Sequence, residues 1–195
     1  RHLPIWSEPE LAFRLMPEHV RLLAITGTDG KSTVTTMLGH IERSATGIGR
    51  RRPVWEGGNL GTPFCQAVLD GLLVRPEARA VVEISCFQLL YVDTFRPHVA
   101  ALLNIAEDHL DVHGDMEAYT AAKARVFENM RGPDDVAVYR TDDVRCAEAV
   151  DASAARQVPF ALTPEVRAFW SDPAHRLPVL GLHNMLNAEA ATLMA

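Results

Sequence analysis

Cysteine is scarce in this 195-residue chain: only Cys65, Cys86 and Cys146 are present. They are widely spaced and form neither a Cys-x-x-Cys pair nor an even-numbered framework, which argues against a secreted disulfide scaffold and for a reducing, cytoplasmic setting. Excess basic charge is also missing. The net charge of −6 leaves no global field for nucleic acid. No apolar run approaches the ~20 residues of a membrane span, and the opening RHLPIWSEPE has no signal-peptide apolar stretch. Internal repeats and low-complexity tracts are absent.

What remains is ordinary for a folded protein: 48% hydrophobic and 23% charged residues, with length enough for one sizeable core. Strand-like runs recur at 22–26, 80–83, 99–104 and 136–139. Helical patterns at 32–43, 63–74, 116–130 and 142–150 separate most of them. Apolar runs bounded by helices mark strands buried on both faces, so the sequence predicts an α/β fold with a mostly parallel sheet flanked by helices. After Asp151, short segments at 156–161, 166–170 and 177–180 suggest a small antiparallel patch, and a last helix begins near His183. The chain opens without methionine and stops inside the helical pattern NMLNAEAATLMA, which reads as a piece of a longer protein.

The most informative stretch is LLAITGTDGKSTVTTML, residues 22–38. A buried strand runs into a glycine-rich turn and then a helix, so backbone N–H groups and the positive end of a helix dipole face outward together. Gly27 and Gly30 permit a nest around phosphate oxygens, Lys31 can neutralise β/γ-phosphates and Ser32 can ligate Mg²⁺. The strict Gly-x4-Gly-Lys-Ser pattern fails, because Ile25 stands where its first glycine belongs, and Asp29 brings negative charge into the anion site. Arg50-Arg51-Arg52 reads as a solvated loop, with a phosphate contact as the sharper alternative.

The shortened loop, Thr26-Gly27-Thr28-Asp29-Gly30-Lys31-Ser32-Thr33, resembles the ATP loop of the Mur ligases and the related folylpolyglutamate synthetases. Five further motifs follow in order: Gly57 to Gly61 (GGNLG), Glu83 to Leu89 (EISCFQL), Asn104 to Asp111 (NIAEDHLD), Ala121 to Arg125 (AAKAR) and Gly181 to Asn187 (GLHNMLN). The second and third of these six are most similar to the branch that joins D-glutamate to UDP-N-acetylmuramoyl-L-alanine. The resemblance implies that 21–195 is a central ATP-binding domain, that 1–20 is a linker remnant from a missing N-terminal UDP-binding domain, and that a C-terminal ligand-binding domain is missing. It also implies ATP and two Mg²⁺ as cofactors, with ligation through an acyl-phosphate. Folylpolyglutamate synthetase is the rival within the superfamily, and Phe87-Gln88-Leu89 argues against it.

Site expectations follow from position and family together. Glu83 ends a strand, where open α/β sheets place ligands, and the family gives it to Mg²⁺. Glu107, Asp108, His109 and Asp111 follow another strand. The family assigns the histidine to a second Mg²⁺. Ala106 replaces a common threonine and Cys86 a common serine. On the 116–130 helix, positions 116, 119, 123, 126, 127 and 130 share one face, and Lys123 is its only polar member apart from the tyrosine hydroxyl. Desolvation lowers a lysine's pKa and makes it reactive towards CO₂, and the resemblance implies a carbamylated Lys123. Asn59 is expected against substrate, and Asn184 and Asn187 around the adenine. His2, His19, His40, His98, His113 and His175 lie outside these motifs and read as surface or turn residues.

Overall fold

The computed structural model describes residues 3–45, 52–175, 177–179 and 181–195. Arg50, Arg51, His2 and Leu180, named above, lie outside the described residues; Arg52 is described and pairs with Glu42. The chain runs α1 (Glu8–Leu15), β1 (Arg21–Thr26), α2 (Lys31–Ser44), β2 (Val54–Gly58), α3 (Phe64–Leu69), β3 (Arg79–Glu83) and α4 (Cys86–Leu89). It continues through β4 (Val99–Leu102), α5 (Leu110–His113), α6 (Met116–Ala124), β5 (Val136–Arg140), α7 (Val144–Val150), β6 (Arg156–Phe160), α8 (Pro164–Ser171) and α9 (Leu182–Met194).

The strands form one six-stranded sheet in the order β2-β3-β1-β4-β5-β6, every pairing parallel. Side chains alternate across a strand, so each central strand feeds two cores. Leu22, Ala24, Ala80, Val82, Ala100 and Leu102 face one of them, with Phe64 of α3, Leu89 of α4 and Tyr119 of α6. Leu23, Ile25, Val81, Ala101 and Val138 face the other, under Val34 and Leu38 of α2 and Leu186, Ala190 and Met194 of α9. Double burial is why these strands read as unbroken apolar runs.

Helix α1 docks through a buried charge. The Glu10 carboxylate, fully covered, accepts from the Phe95, Asp93 and Thr94 backbone N–H groups at 2.8–3.0 Å, from Thr94 Oγ1 at 2.7 Å and from Arg14 Nε at 2.6 Å. Burial alone would raise its pKa, but these bonds outweigh it and hold the carboxyl below its ordinary value. Residues 8–15, within the stretch read as a linker, are therefore a helix packed on the core.

Several expectations are corrected. The C-terminal segment has no antiparallel pairing among the described residues. β6 lies parallel to β5, and 166–170 belongs to α8, which Thr163 caps by accepting from Val166 N at 3.3 Å, with Pro164 in its first turn. Residues 177–179 are in no strand. The 63–74 helix stops at Leu69, ahead of Gly71, whose φ is +66°. The 116–130 helix ends at Ala124 and tightens into a 3-10 turn, Arg125–Phe127. There Arg125 Nη1 and Nη2 donate to the Leu90 and Val92 carbonyls at 2.5 and 2.7 Å, anchoring the segment to the loop before β4. Its inward face is as predicted: Tyr119, Lys123, Val126, Phe127 and Met130 are all buried. Two histidines are not surface residues. His98 Nδ1 accepts from Leu22 N at 3.2 Å, and His113 stacks on Phe87 with ring centroids 5.6 Å apart.

Candidate functional site

The strand order reverses around β1, whose neighbours are β3 and β4, and open sheets of this kind gather ligands at the carboxyl ends beside such a point. Here β1 ends in Thr26, and Gly27 to Gly30 turn into α2. Gly30 caps that helix at φ +84°, and a Cβ on it would lie 2.5 Å from Asn187 Oδ1, so only glycine fits. The turn leaves the first N–H groups of α2 facing a cavity of about 270 Å³ lined by Lys31, Ser32, Thr33, Asn59 and Glu83. Lys31 Nζ folds back onto the carbonyls of Gly27 (3.0 Å) and Thr28 (2.8 Å). Thr26 is fully buried, and its Oγ1 has no hydrogen-bond partner among the described residues.

Glu83 arrives from the end of β3. Its Oε2 accepts from Ser32 Oγ at 2.7 Å and its Oε1 from Asn59 Nδ2 at 3.2 Å, which ties three predicted residues into one cluster. A hydroxyl and a carboxylate side by side at the mouth of a phosphate-sized cavity are hard oxygen donors of the kind Mg²⁺ takes when phosphates supply the rest of its shell. These two residues fit that ion.

Lys123 comes up from α6 and is 2% exposed. Its Nζ donates to the Gly27 carbonyl at 2.8 Å and lies 4.6 Å from the centre of the Tyr119 ring. One carbonyl thus accepts from both Lys31 and Lys123. Burial pushes the Lys123 ammonium down to about 8, the nearby Cys86 thiol opposes this, and Lys31 adds to it. His109 is less closely joined. It takes a left-handed backbone (φ +53°), packs on Phe87 at 4.8 Å between ring centres and lies 3.3 Å from Asp108 Oδ2 through Nε2. Its link to Lys123 runs through Tyr119, 6.4 Å from its ring. No group of three His, Cys, Asp or Glu able to hold a metal occurs among the described residues, and Lys123 as an ammonium repels a cation.

A larger cavity of about 550 Å³ opens on the other side of the loop. It shares Asp29, Gly30 and Thr33 with the first and reaches Asn184 and Asn187 of α9. Asn187 Nδ2 donates to Asn184 Oδ1 at 3.3 Å, and Gly181, not Asn184, caps α9.

Two contributors carried no role in the sequence reading. Asn104, just beyond β4, grips Asp29 at two points: Oδ1 accepts from Asp29 N at 2.9 Å and Nδ2 donates to Asp29 O at 3.0 Å. The Asn104 carbonyl also accepts from Thr28 N at 3.0 Å, and Thr28 Oγ1 accepts from Ala106 N at 3.0 Å and lies 3.2 Å from the Tyr119 hydroxyl. The glycine-rich turn is therefore stitched to the loop carrying His109. Asp143 extends this framework, accepting from Ile105 N at 2.8 Å while capping α7. Asn104 opened a quoted motif, but an asparagine after a strand gives no hint of its partner 75 residues away.

Known proteins are similar to this chain in sequence and in fold. The family model for the Mur ligase middle domain matches residues 25–176. A UDP-N-acetylmuramoylalanine–D-glutamate ligase from Anaeromyxobacter dehalogenans is 40% identical across all of this chain, which covers 45% of that protein. One from Koribacter versatilis is 37% identical over 97% of the chain and 43% of its own length. The chain thus spans less than half the length of these curated relatives. Among solved structures, MurF from Acinetobacter baumannii superimposes with a TM-score of 0.65 at 25% identity, over 95% of this chain and 43% of that one. With its phosphate loop, its parallel sheet and its sequence all matching that group, this chain belongs to the Mur ligase family.

Proposed function

We propose that this chain is the ATP-binding part of a cytoplasmic ligase of peptidoglycan precursor synthesis that joins D-glutamate to UDP-N-acetylmuramoyl-L-alanine. The reading draws its substrates from the names of the relatives, which are similar over essentially the whole chain. Its chemical support is one observation: Lys31 and Lys123 both donate to the Gly27 carbonyl of the glycine-rich turn, and the Ser32–Glu83 pair stands at the start of the helix that follows it.

In this reaction a substrate carboxylate oxygen attacks the γ-phosphorus of ATP, the β–γ bond breaks, and ADP leaves. The amino nitrogen of D-glutamate then attacks the acyl carbon, phosphate departs, and the amine releases a proton to solvent. Two anionic groups must meet in the first step, so catalysis is mostly positioning and charge neutralisation. The α2 N-terminus and Thr33 would orient the phosphates, and Lys31 would swing from the Gly27 and Thr28 carbonyls onto the β/γ-oxygens. Ser32 and Glu83 would hold Mg²⁺, which supplies positive charge there. Asn59 would lie beside the substrate, and Asn184 and Asn187 beside the base. A second Mg²⁺ at His109 requires Lys123 in carbamate form, made when CO₂ adds to the neutral amine with loss of a proton.

The test is phosphate release by an enzyme containing this chain. Sustained phosphate release should need UDP-N-acetylmuramoyl-L-alanine and D-glutamate together, and Lys31→Ala should nearly abolish turnover. Stimulation by a folate acceptor instead, or normal turnover by the variant, would overturn the proposal.

A further inference from the structure

Arg140, the last residue of β5, lines the cavity of about 550 Å³ and belongs to none of the motifs above. It stands two strands from β1, on the same carboxyl edge. The smaller cavity, with Lys31, Ser32 and Glu83, does not include it. Since Asp29, Gly30 and Thr33 border both spaces, a nucleotide with its phosphates in the smaller would extend its nucleoside into the larger. Arg140 is therefore on the nucleoside side.

Its guanidinium is fixed in orientation. Nε donates to Asp142 Oδ1 at 2.6 Å and Nη2 to Asp142 Oδ2 at 3.0 Å, a two-point fork that defines a plane. The fork also pairs the charge, so the unit is a weak attractor for phosphate, while the side chain keeps 28% of its surface open. The same cavity presents the apolar side chains of Leu103, Phe160, Val179 and Leu186, alongside polar ones that include Asn184 and Asn187. A planar, charge-paired cation in a cavity with this apolar side suits a heteroaromatic ring better than an anion.

We propose that Arg140, held flat by Asp142, is the platform on which the nucleobase of the bound nucleotide packs. This rests on the nucleotide reading above and adds a base-recognition residue to it. In the protein the aspartate sets the plane, and the arginine presents it.

The test is calorimetric binding of ATP and of inorganic tripolyphosphate to the chain and to its Arg140→Ala and Arg140→Lys variants. Arg140→Ala should weaken ATP binding about tenfold and leave tripolyphosphate unchanged. Arg140→Lys, which keeps the charge and loses the plane, should not restore ATP affinity. Three results overturn the proposal while leaving the nucleotide site intact: unchanged ATP affinity in Arg140→Ala, equal losses for both ligands, or rescue by lysine. A wild-type chain that binds neither ligand overturns the nucleotide reading and this inference with it. Arg140→Lys keeps the aliphatic stem and serves as the decisive variant if Arg140→Ala does not fold.

Discussion

Replacing Lys123 by methionine should make the unliganded protein more stable at neutral pH, and the gain should vanish in alkali. The ammonium is buried, and its pKa falls from 10.5 to about 8. Below pH 8 both folded and unfolded chains carry the charge, so the folded state bears the whole desolvation cost. Between pH 8 and 10.5 the folded chain releases its proton first, so wild-type stability rises with pH across that window. The shift corresponds to roughly 3 kcal/mol. Methionine has similar length and no charge but forfeits the bond to the Gly27 carbonyl, worth about 1 kcal/mol. That carbonyl keeps Lys31 as a donor. The variant should therefore be more stable by about 2 kcal/mol at pH 7 and slightly less stable than wild type near pH 10.5. Urea unfolding of both proteins from pH 7 to 10.5, in degassed buffer that keeps CO₂ from the amine, measures the difference. A difference that stays flat with pH would refute the reasoning, since cysteines and tyrosines titrating nearby are common to both proteins.

The remaining predictions concern other polar groups. Asn104→Ala removes both grips on Asp29 and should cost about 1–3 kcal/mol of stability and weaken ATP and tripolyphosphate alike; denaturant melts and calorimetry check this. Glu83→Gln should abolish the dependence of ATP affinity on Mg²⁺ while leaving metal-free binding nearly unchanged, as titrations with and without the ion will show. Glu10→Ala leaves three backbone donors without their acceptor, while Arg14 keeps Asp93, and should cost about 3–5 kcal/mol. Because the Glu10 pKa is lowered by folding, its contribution is complete above its unfolded pKa and disappears as pH falls through the folded one. Wild-type acid unfolding should therefore lose, in Glu10→Ala, the part of its pH dependence that lies below about 4.5.

The parallel sheet was legible because doubly buried strands leave unbroken apolar runs, and the strand–turn–helix at 21–44 because glycines interrupt the pattern between an apolar run and a helical one. β2 was not. Val54–Gly58 ends in two glycines, which depress strand propensity, and it is a strand because β3 offers it hydrogen bonds. α8 was misread although Thr163-Pro164-Glu165 is a helix-start signal, because its short apolar cluster, with no residue fully buried, also fits a strand. In the site, the inward face of α6 could be counted from spacing, and so Lys123 could be found. The Asn104 grip, the Arg140–Asp142 fork and the Glu10 anchor are longer-range or side-chain geometries that periodicity does not encode.

The strand order also has a consequence during synthesis. Within this sheet β1 is made first, yet its two flanks belong to β3 and β4. Its hydrogen-bonding edges stay open until residues 79–83 and then 99–102 have been made. An almost wholly apolar segment must wait unpaired through that interval, so the nascent sheet is aggregation-prone until β3 and β4 have been made, and holdase chaperones should matter there.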